Sequence, residues 1–143
     1  MDRKSSIDTF IATARGFVGC RWRHRGRSSF GVDCIGLVVL GLRAAGIEMR
    51  DRLDYGREPW NDGLGREMRE HFGDPVVELQ PGDVVTMRGI GQPEPGHVGV
   101  VAEHSGYLTL IHSYNADSNT RVVEHRIDEH WLGRIAEIYR PFP

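Results

Sequence analysis

A cysteine stands where a loop turns into an apolar helix, in the segment Gly31-Val32-Asp33-Cys34-Ile35-Gly36. A cysteine in the first turn of a helix faces unpaired backbone N–H groups and the positive end of the helix dipole. Both favour the thiolate, the form that attacks a carbonyl carbon. A strand that carries a histidine, Gly96 to Val101, follows later in the chain. Cys34 and His97 therefore predict a cysteine nucleophile with a histidine base.

A second histidine is predicted to lie beside the first. If the loop between the two strands is centred between His104 and Ser105, His97 directly faces His112. Directly opposed residues have Cβ atoms about 4.5–5.5 Å apart on one face of a sheet. His97 would then take the thiol proton, and His112 would accept a hydrogen bond from the other ring nitrogen and fix the tautomer.

Other uses of these side chains are weighed against catalysis. A lone cysteine in an apolar helix usually fills the core. A disulfide between Cys20 and Cys34 would be a single bridge, which is a poor disulfide framework. A zinc site built from Cys34, His97 and His112 lacks the His-Glu-x-x-His or Cys-x-x-Cys spacing. The combination favours the nucleophile and predicts neither a metal nor a cofactor.

The residues around the cysteine have structural interpretations as well. Asp33 is a plausible N-cap of the helix, with its oxygen bound to helix N–H groups. The run Arg21 to Arg27 carries four arginines and is usually a solvated loop, but beside a nucleophile it can bind substrate carboxylates. Apart from His24 in that run, the remaining histidines are interpreted as ordinary surface or hydrogen-bonded residues: His71, His104, His125 and His130.

The elements that must position these residues follow from periodicity. Apolar residues at helical spacing predict a helix near 5–18, an apolar and buried helix from Cys34 to Ala45 stopped by Gly46, and one short helix containing Leu64, Met68 and Phe72. Strands follow, predicted for Asp83 to Arg88, His97 to Ala102, Tyr107 to His112, Arg121 to His125, and Ile135 to Tyr139. The pattern indicates an α+β fold over one domain, residues 1–143, with N-terminal helices packed on a five- to six-stranded antiparallel sheet.

Composition excludes several function classes. The net charge of −2 gives no global field that would recruit nucleic acid. No apolar run approaches about 20 residues, so no membrane insertion is predicted. The polar start, Met1 to Ser6, lacks the apolar core of a secretory signal. We therefore expect synthesis in the cytoplasm without a signal peptide.

The motifs resemble those of the NlpC family of papain-like cysteine endopeptidases, which cleave the peptide stems of bacterial cell walls. The family's first motif resembles Gly19 to Gly36, including its Asp-Cys pair. Its second resembles Leu79-Gln80-Pro81-Gly82-Asp83-Val84-Val85, followed by the Gly-His-Val-Gly strand at His97, and its third polar residue matches His112. The resemblance covers residues 8 to 115 and implies a papain-like fold.

Carried over by position, the resemblance implies that Cys34 is the nucleophile, His97 the base and His112 the orienting residue. Trp22 stands where the family has a tyrosine near the thiol, and its indole N–H can donate a hydrogen bond but cannot titrate. Ile35 replaces the family's serine and removes a possible substrate hydrogen bond. Trp22 and His24 are accordingly predicted to contact substrate, and Asp33 is included with them as a site residue.

The short form of the chain, with Trp-Arg-His-Arg-Gly-Arg and no accessory module, is similar to the branch of the family found with phage tails and gene-transfer agents. The resemblance implies an enzyme carried in a virion or phage-like particle that cuts the bond between D-glutamate and meso-diaminopimelate in peptidoglycan stem peptides. Tail-tip or hub proteins would then be partners.

Two alternatives stay open. One is a structural tail-tip component with little or no peptidase activity, in which the segment 47–80, with Tyr55, Trp60 and Phe72, is an attachment surface. The other is a cytoplasmic peptidase that recycles wall peptides.

Overall fold

The computed structural model describes residues 2–51, 53–56, 64–89, 91–116 and 120–143. Its elements, in chain order, are α1 (Arg3–Gly16), β1 (Arg27–Ser28), β2 (Gly31–Val32), α2 (Cys34–Ala44), α3 (Leu64–Phe72), β3 (Val84–Arg88), β4 (Pro95–His104), β5 (Tyr107–Ser113), β6 (Val122–Arg126), α4 (Glu129–Arg134) and β7 (Ile135–Tyr139). Helices come first and most strands afterwards, as the sequence pattern predicts.

The two N-terminal helices begin at aspartate caps and pack against each other. The Asp2 carboxylate accepts from the N–H of Ser5, and the Asp33 carboxylate accepts from the N–H of Gly36. α1 begins and ends two residues earlier than the predicted 5–18. α2 ends at Ala44, one residue before the predicted end, and Gly46 follows it with a φ of +88°. Both predicted helices are confirmed within the usual uncertainty at helix ends.

Five antiparallel strands form the main sheet, in the order β6-β5-β4-β3-β7. One face of the sheet packs on α1 and α2 through Val98, Val100 and Ile111, in the larger core. The other face carries Val101 and Leu110, which pack with residues near α4 in a second core. This arrangement confirms the predicted α+β class with helices on a five-stranded antiparallel sheet.

The predicted pairing of β4 with β5 is wrong by two residues. His104 pairs with Tyr107 and Val100 with Ile111, because Ser105 and Gly106 form the turn with φ values of 53° and 80°. Positive φ at both central residues is the type I′ geometry that suits a two-residue hairpin. A shift of two residues keeps every side chain on its face. His97 and His112 thus become diagonal neighbours instead of directly opposed ones.

Three elements lie outside the sequence prediction. The hairpin of β1 and β2 has strands of only two residues, too short for periodicity to indicate. α4 is only six residues long, and it begins at the Asp128 cap, whose carboxylate accepts from the N–H of Trp131. Across the described residues, no helix is long and apolar enough to cross a membrane.

Candidate active site

Cys34 is the first residue of α2, and its sulfur faces backbone N–H groups. The backbone N–H groups of Val98, Ile35 and Cys34 itself favour the charged form of the sulfur. Val98 directly follows His97 on β4, so this interaction joins the start of α2 to the strand that carries the histidine. The side chain is only 9% exposed. The loop before α2 requires Gly36, because a Cβ there would lie 2.2 Å from the carbonyl oxygen of Gly26.

The thiolate expected from the helix position is not the resting form of Cys34. Burial raises the pKa of the thiol to about 12, and the negative charge of Asp33 adds to the increase, while the three N–H groups act in the opposite direction. Removal from water disfavours the charged form more than the helix terminus favours it. At neutral pH the free protein therefore holds a neutral thiol, which must lose its proton as it reacts.

His97 is held by His112. Nε2 of His97 lies 2.6 Å from Nδ1 of His112. His112 is fully buried, and Gly99 makes room for it, because a Cβ on Gly99 would lie 3.2 Å from the His112 Cβ and 2.7 Å from Leu110 Cδ1. The diagonal geometry therefore needs a glycine two residues after His97, as in the Gly-His-Val-Gly motif.

The imidazole of His97 is suited to accept a proton at neutral pH. Burial lowers its pKa to about 4, and the positive charge of Arg134 acts in the same direction. Burial also lowers the pKa of His112, assisted by the neighbouring His97 and His125. Since both rings are neutral at pH 7, one nitrogen of each carries a proton and the other has a free lone pair.

Asp33 is engaged by the scaffold on both oxygens. In addition to Gly36, it accepts hydrogen bonds from the backbone N–H of Arg25, from Nη1 of Arg27 and from the hydroxyl of Tyr55. The N-cap interpretation is confirmed, and these four donors leave little capacity for a substrate group. Asp33 lines the cavity through its position next to Cys34 and holds the nucleophile loop on the helix.

Two arginines of the run, Arg25 and Arg27, use their charges within the scaffold. Arg27 pairs with Asp33 and Asp51, and the Arg25 guanidinium donates to the carbonyl of Tyr55. These partners use the charges to fasten the loop before Cys34. Among the described residues, the arginine that lines the cavity is Arg134, at the end of α4.

Cys34, His97 and Asp33 line one cavity of about 540 Å³. This volume is within the range usual for small-molecule sites, about 300–1,000 Å³. Cys34 and His97 line it together with Trp22 and His24, whose rings stack with centroids 6.3 Å apart. The structure thus brings together, on one cavity, all of the predicted site residues except His112, which lies behind His97.

The aromatic residues expected to form an attachment surface do not form an exposed patch in the described part of the chain. Tyr55 is 3% exposed and lines the same cavity, so it belongs to the site wall. Phe72 packs partly buried against the larger core, with its ring 6.1 Å from that of Tyr139. Trp60 lies outside the described residues.

Sequence reasoning missed the residues that surround the histidine pair. His125, interpreted above as an ordinary histidine, lies 2.8 Å from His112 between their Nε2 atoms. The indole of Trp131 packs edge-on against His112, with ring centroids 5.1 Å apart, and Tyr114 lies 5.2 Å from the same ring. The register of β6 against β5 could have indicated His125. It pairs with Leu110, two residues before His112, and is therefore a diagonal neighbour of His112.

The structure bears on two alternative uses of the cysteines, a disulfide and a metal site. Cys20 and Cys34 are both free, so they form no disulfide. Within the part of the chain that the structure describes, no group of three or more His, Cys, Asp or Glu side chains is arranged to hold a metal ion.

Comparisons with known proteins agree on the fold. A model of the NlpC/P60 family matches residues 19–136. A solved NlpC/P60 family protein from Bacillus cereus aligns at 23% identity and a TM-score of 0.69, over 96% of this chain and 40% of that one. This chain therefore spans less than half the length of that relative.

Two further structures carry names that state an activity. The NlpC/P60 domain of the peptidoglycan hydrolase SagA aligns at 16% identity and a TM-score of 0.61, over 93% of this chain and 97% of that one. The peptidoglycan hydrolase RipB from Mycobacterium tuberculosis aligns at 15% identity and a TM-score of 0.63, over 99% and 67% of the two chains. No curated protein matches.

Proposed function

This chain belongs to the NlpC/P60 family, and we propose that it is a cysteine endopeptidase that hydrolyses the peptide stems of bacterial peptidoglycan. The observation that carries the proposal is the meeting of Cys34 and His97 on one cavity, with His97 hydrogen-bonded to His112 behind it. The names of SagA and RipB, both peptidoglycan hydrolases, support the substrate class.

The mechanism begins from two neutral groups. As the Cys34 sulfur attacks the scissile carbonyl carbon, the ring nitrogen of His97 that is not bound to His112 takes the thiol proton. The resulting imidazolium keeps its hydrogen bond to His112. The oxyanion of the tetrahedral intermediate accepts from the backbone N–H of Cys34.

Collapse of the intermediate breaks the carbon–nitrogen bond. His97 returns its proton to the leaving amine, and an acyl thioester remains on Cys34. His97 then removes a proton from water, whose oxygen attacks the thioester, and the carboxylate product leaves as the thiol is restored. One peptide bond and one water are consumed, and both side chains end as they began.

Substrate contacts are proposed for the walls of the cavity. Trp22 and His24 offer stacked rings against which a stem peptide can pack. Arg134 donates from Nε to the carbonyl of Arg88 and forms no ion pair with a carboxylate in the described ranges. Peptidoglycan stems carry free carboxylates, so we propose that Arg134 binds one of them by charge-assisted hydrogen bonds. Asp33 acts by holding the loop in place.

The test is the release of stem peptides from purified peptidoglycan, followed by mass spectrometry. Cys34→Ala should abolish release, while Cys20→Ala, which removes the other free thiol, should leave it unchanged. Thermal unfolding of both variants checks that the fold persists. Equal release by the wild type and folded Cys34→Ala would disprove the assignment.

Two finer proposals concern the bond and the place of action. We propose cleavage between D-glutamate and meso-diaminopimelate, for which the expected product begins with an N-terminal diaminopimelate. We also propose that the protein acts as part of a phage-like tail. Its detection by mass spectrometry in purified particles would support this location, and its absence from them would favour wall-peptide recycling in the cytoplasm.

A further inference from the structure

Three histidines form a continuous hydrogen-bonded line across neighbouring strands. His97 Nε2 lies 2.6 Å from His112 Nδ1, and His112 Nε2 lies 2.8 Å from His125 Nε2. The line ends at a backbone carbonyl, because Nδ1 of His125 lies 2.9 Å from the oxygen of Arg126. Each histidine is a diagonal neighbour of the next on one face of β4, β5 and β6.

For a neutral His125, the carbonyl at the end of the line determines the direction of every hydrogen bond in it. A carbonyl oxygen only accepts, so Nδ1 of His125 must carry a proton. In neutral His125, Nε2 then has a lone pair and accepts from the N–H at Nε2 of His112. His112 is left with a lone pair on Nδ1, which accepts from the N–H at Nε2 of His97.

The same reasoning determines the last nitrogen. With its proton on Nε2, His97 carries its lone pair on Nδ1, the ring nitrogen that His112 does not bind, and His97 lines one cavity with Cys34. We propose that His125 is a positioning residue that fixes the reactive tautomer of His97 through His112. The effect of this tautomer on catalysis rests on the proposed function, whereas the tautomer follows from the hydrogen bonds alone.

Packing around His125 supports a fixed ring. Its centroid lies 4.7 Å from that of Trp131, and the same indole packs against His112 at 5.1 Å. Trp131 belongs to α4 and is itself covered by the Arg134 guanidinium, whose central carbon lies 4.3 Å from the ring centroid. The indole therefore holds two members of the line in contact and limits rotation of either ring.

The decisive measurement uses the intact wild-type protein labelled with ¹⁵N. Nitrogen shifts of His97 should identify the tautomer with its proton on Nε2. Scalar couplings across the hydrogen bonds should join His97 to His112 and His112 to His125. A proton on Nδ1 of His97, or no coupling between His112 and His125, would overturn the proposal whether or not the protein has peptidase activity.

Variants extend the test to the reaction. In His125→Leu no group accepts from His112, so the His97 tautomer should become mixed and kcat should fall by about tenfold or more, with KM little changed. In His125→Gln the side-chain oxygen can accept in place of Nε2, and both readouts should recover. His130→Leu is the matched control, because His130 contacts the same indole at 5.7 Å but is not a member of the line.

The outcomes separate the two claims. Unchanged His97 nitrogen shifts in folded His125→Leu would overturn the positioning role while leaving the peptidase proposal intact. A wild type with the expected tautomer but no release of stem peptides would overturn the proposed function and leave the geometry standing. If His125→Leu does not fold, the wild-type couplings and His125→Gln still decide.

Discussion

Acidification should destabilise this protein through the partly buried His97. Its pKa is lowered from 6.5 to about 4 in the folded state, because burial disfavours the charged ring. Between these values the unfolded chain binds a proton at this position that the folded chain does not. The free energy of unfolding therefore rises with pH across the window, and the contribution of neutral His97 is lost as pH falls from 6.5 towards 4.

The magnitude follows from the shift. A displacement of two to three pKa units corresponds to about 3 kcal/mol, at about 1.4 kcal/mol for each unit. This is an upper bound, because the side chain retains some exposure. It is nevertheless a large part of the 5–15 kcal/mol that stabilises a typical domain.

Urea unfolding at a series of pH values from 7 to 4 measures this contribution. Other groups also titrate in that range, so the comparison is with His97→Gln, which keeps an N–H for His112 but cannot titrate. The wild type should lose up to about 3 kcal/mol more than the variant on acidification. His130→Gln, which removes an exposed histidine, should behave like the wild type.

The reasoning fails if the wild type and His97→Gln lose equal stability. It also fails if His97 titrates near 6.5 in the folded protein, as followed directly by NMR. Either result would mean that the His97 ring in the cavity is well hydrated. Burial would then no longer explain a neutral His97 in the resting protein.

Three further predictions concern the groups around the nucleophile. Asp33→Asn removes the negative charge that, together with burial, raises the Cys34 pKa, so iodoacetamide should label Cys34 faster at a fixed pH. The same change breaks a buried charge network, which should lower the free energy of unfolding in urea by about 3–5 kcal/mol. Equal labelling rates in the folded variant and the wild type would contradict the expected effect on Cys34. Gly99→Ala places a methyl against His112, which should cost about 1–3 kcal/mol and lower kcat; unchanged stability and kcat would show that the strand relaxes freely. Arg134→Met should raise KM for stem peptides by about tenfold or more, since a hydrogen bond to a charged group contributes about 1.5–3 kcal/mol; an unchanged KM would remove Arg134 from substrate binding.

Much of the fold could be predicted because the relevant signals are local. Apolar spacing and an aspartate cap predicted the start of α2 and, within one residue, its end. Short strand-like segments bounded by Ser-Gly and Pro-Gly turns predicted the five strands of the main sheet. The six-residue α4 and the two-residue strands β1 and β2 are too short for such signals, so they depend on contacts made by the rest of the chain.

The candidate site divides in the same way. Cys34 at a helix start and His97 on a strand are visible in the sequence, and the family resemblance adds His112. The register error did not separate the two histidines, because a shift of two residues preserves the face of a strand. His125 was missed because its role requires the pairing of a third strand, which one hairpin alone cannot supply.

The sequence by itself determined which residue types can carry the chemistry and which elements bear them, since helix caps, apolar runs and turn residues act over a few positions. Only the tertiary structure decided the protonation states of these residues and which charged groups reach the cavity. Burial raises the Cys34 pKa and lowers that of His97. A backbone carbonyl binds the Arg25 guanidinium, two carboxylates bind that of Arg27, and α4 brings Arg134 to the cavity. These effects depend on distance and on exclusion of water, which are properties of the assembled fold and not of neighbouring residues in the chain.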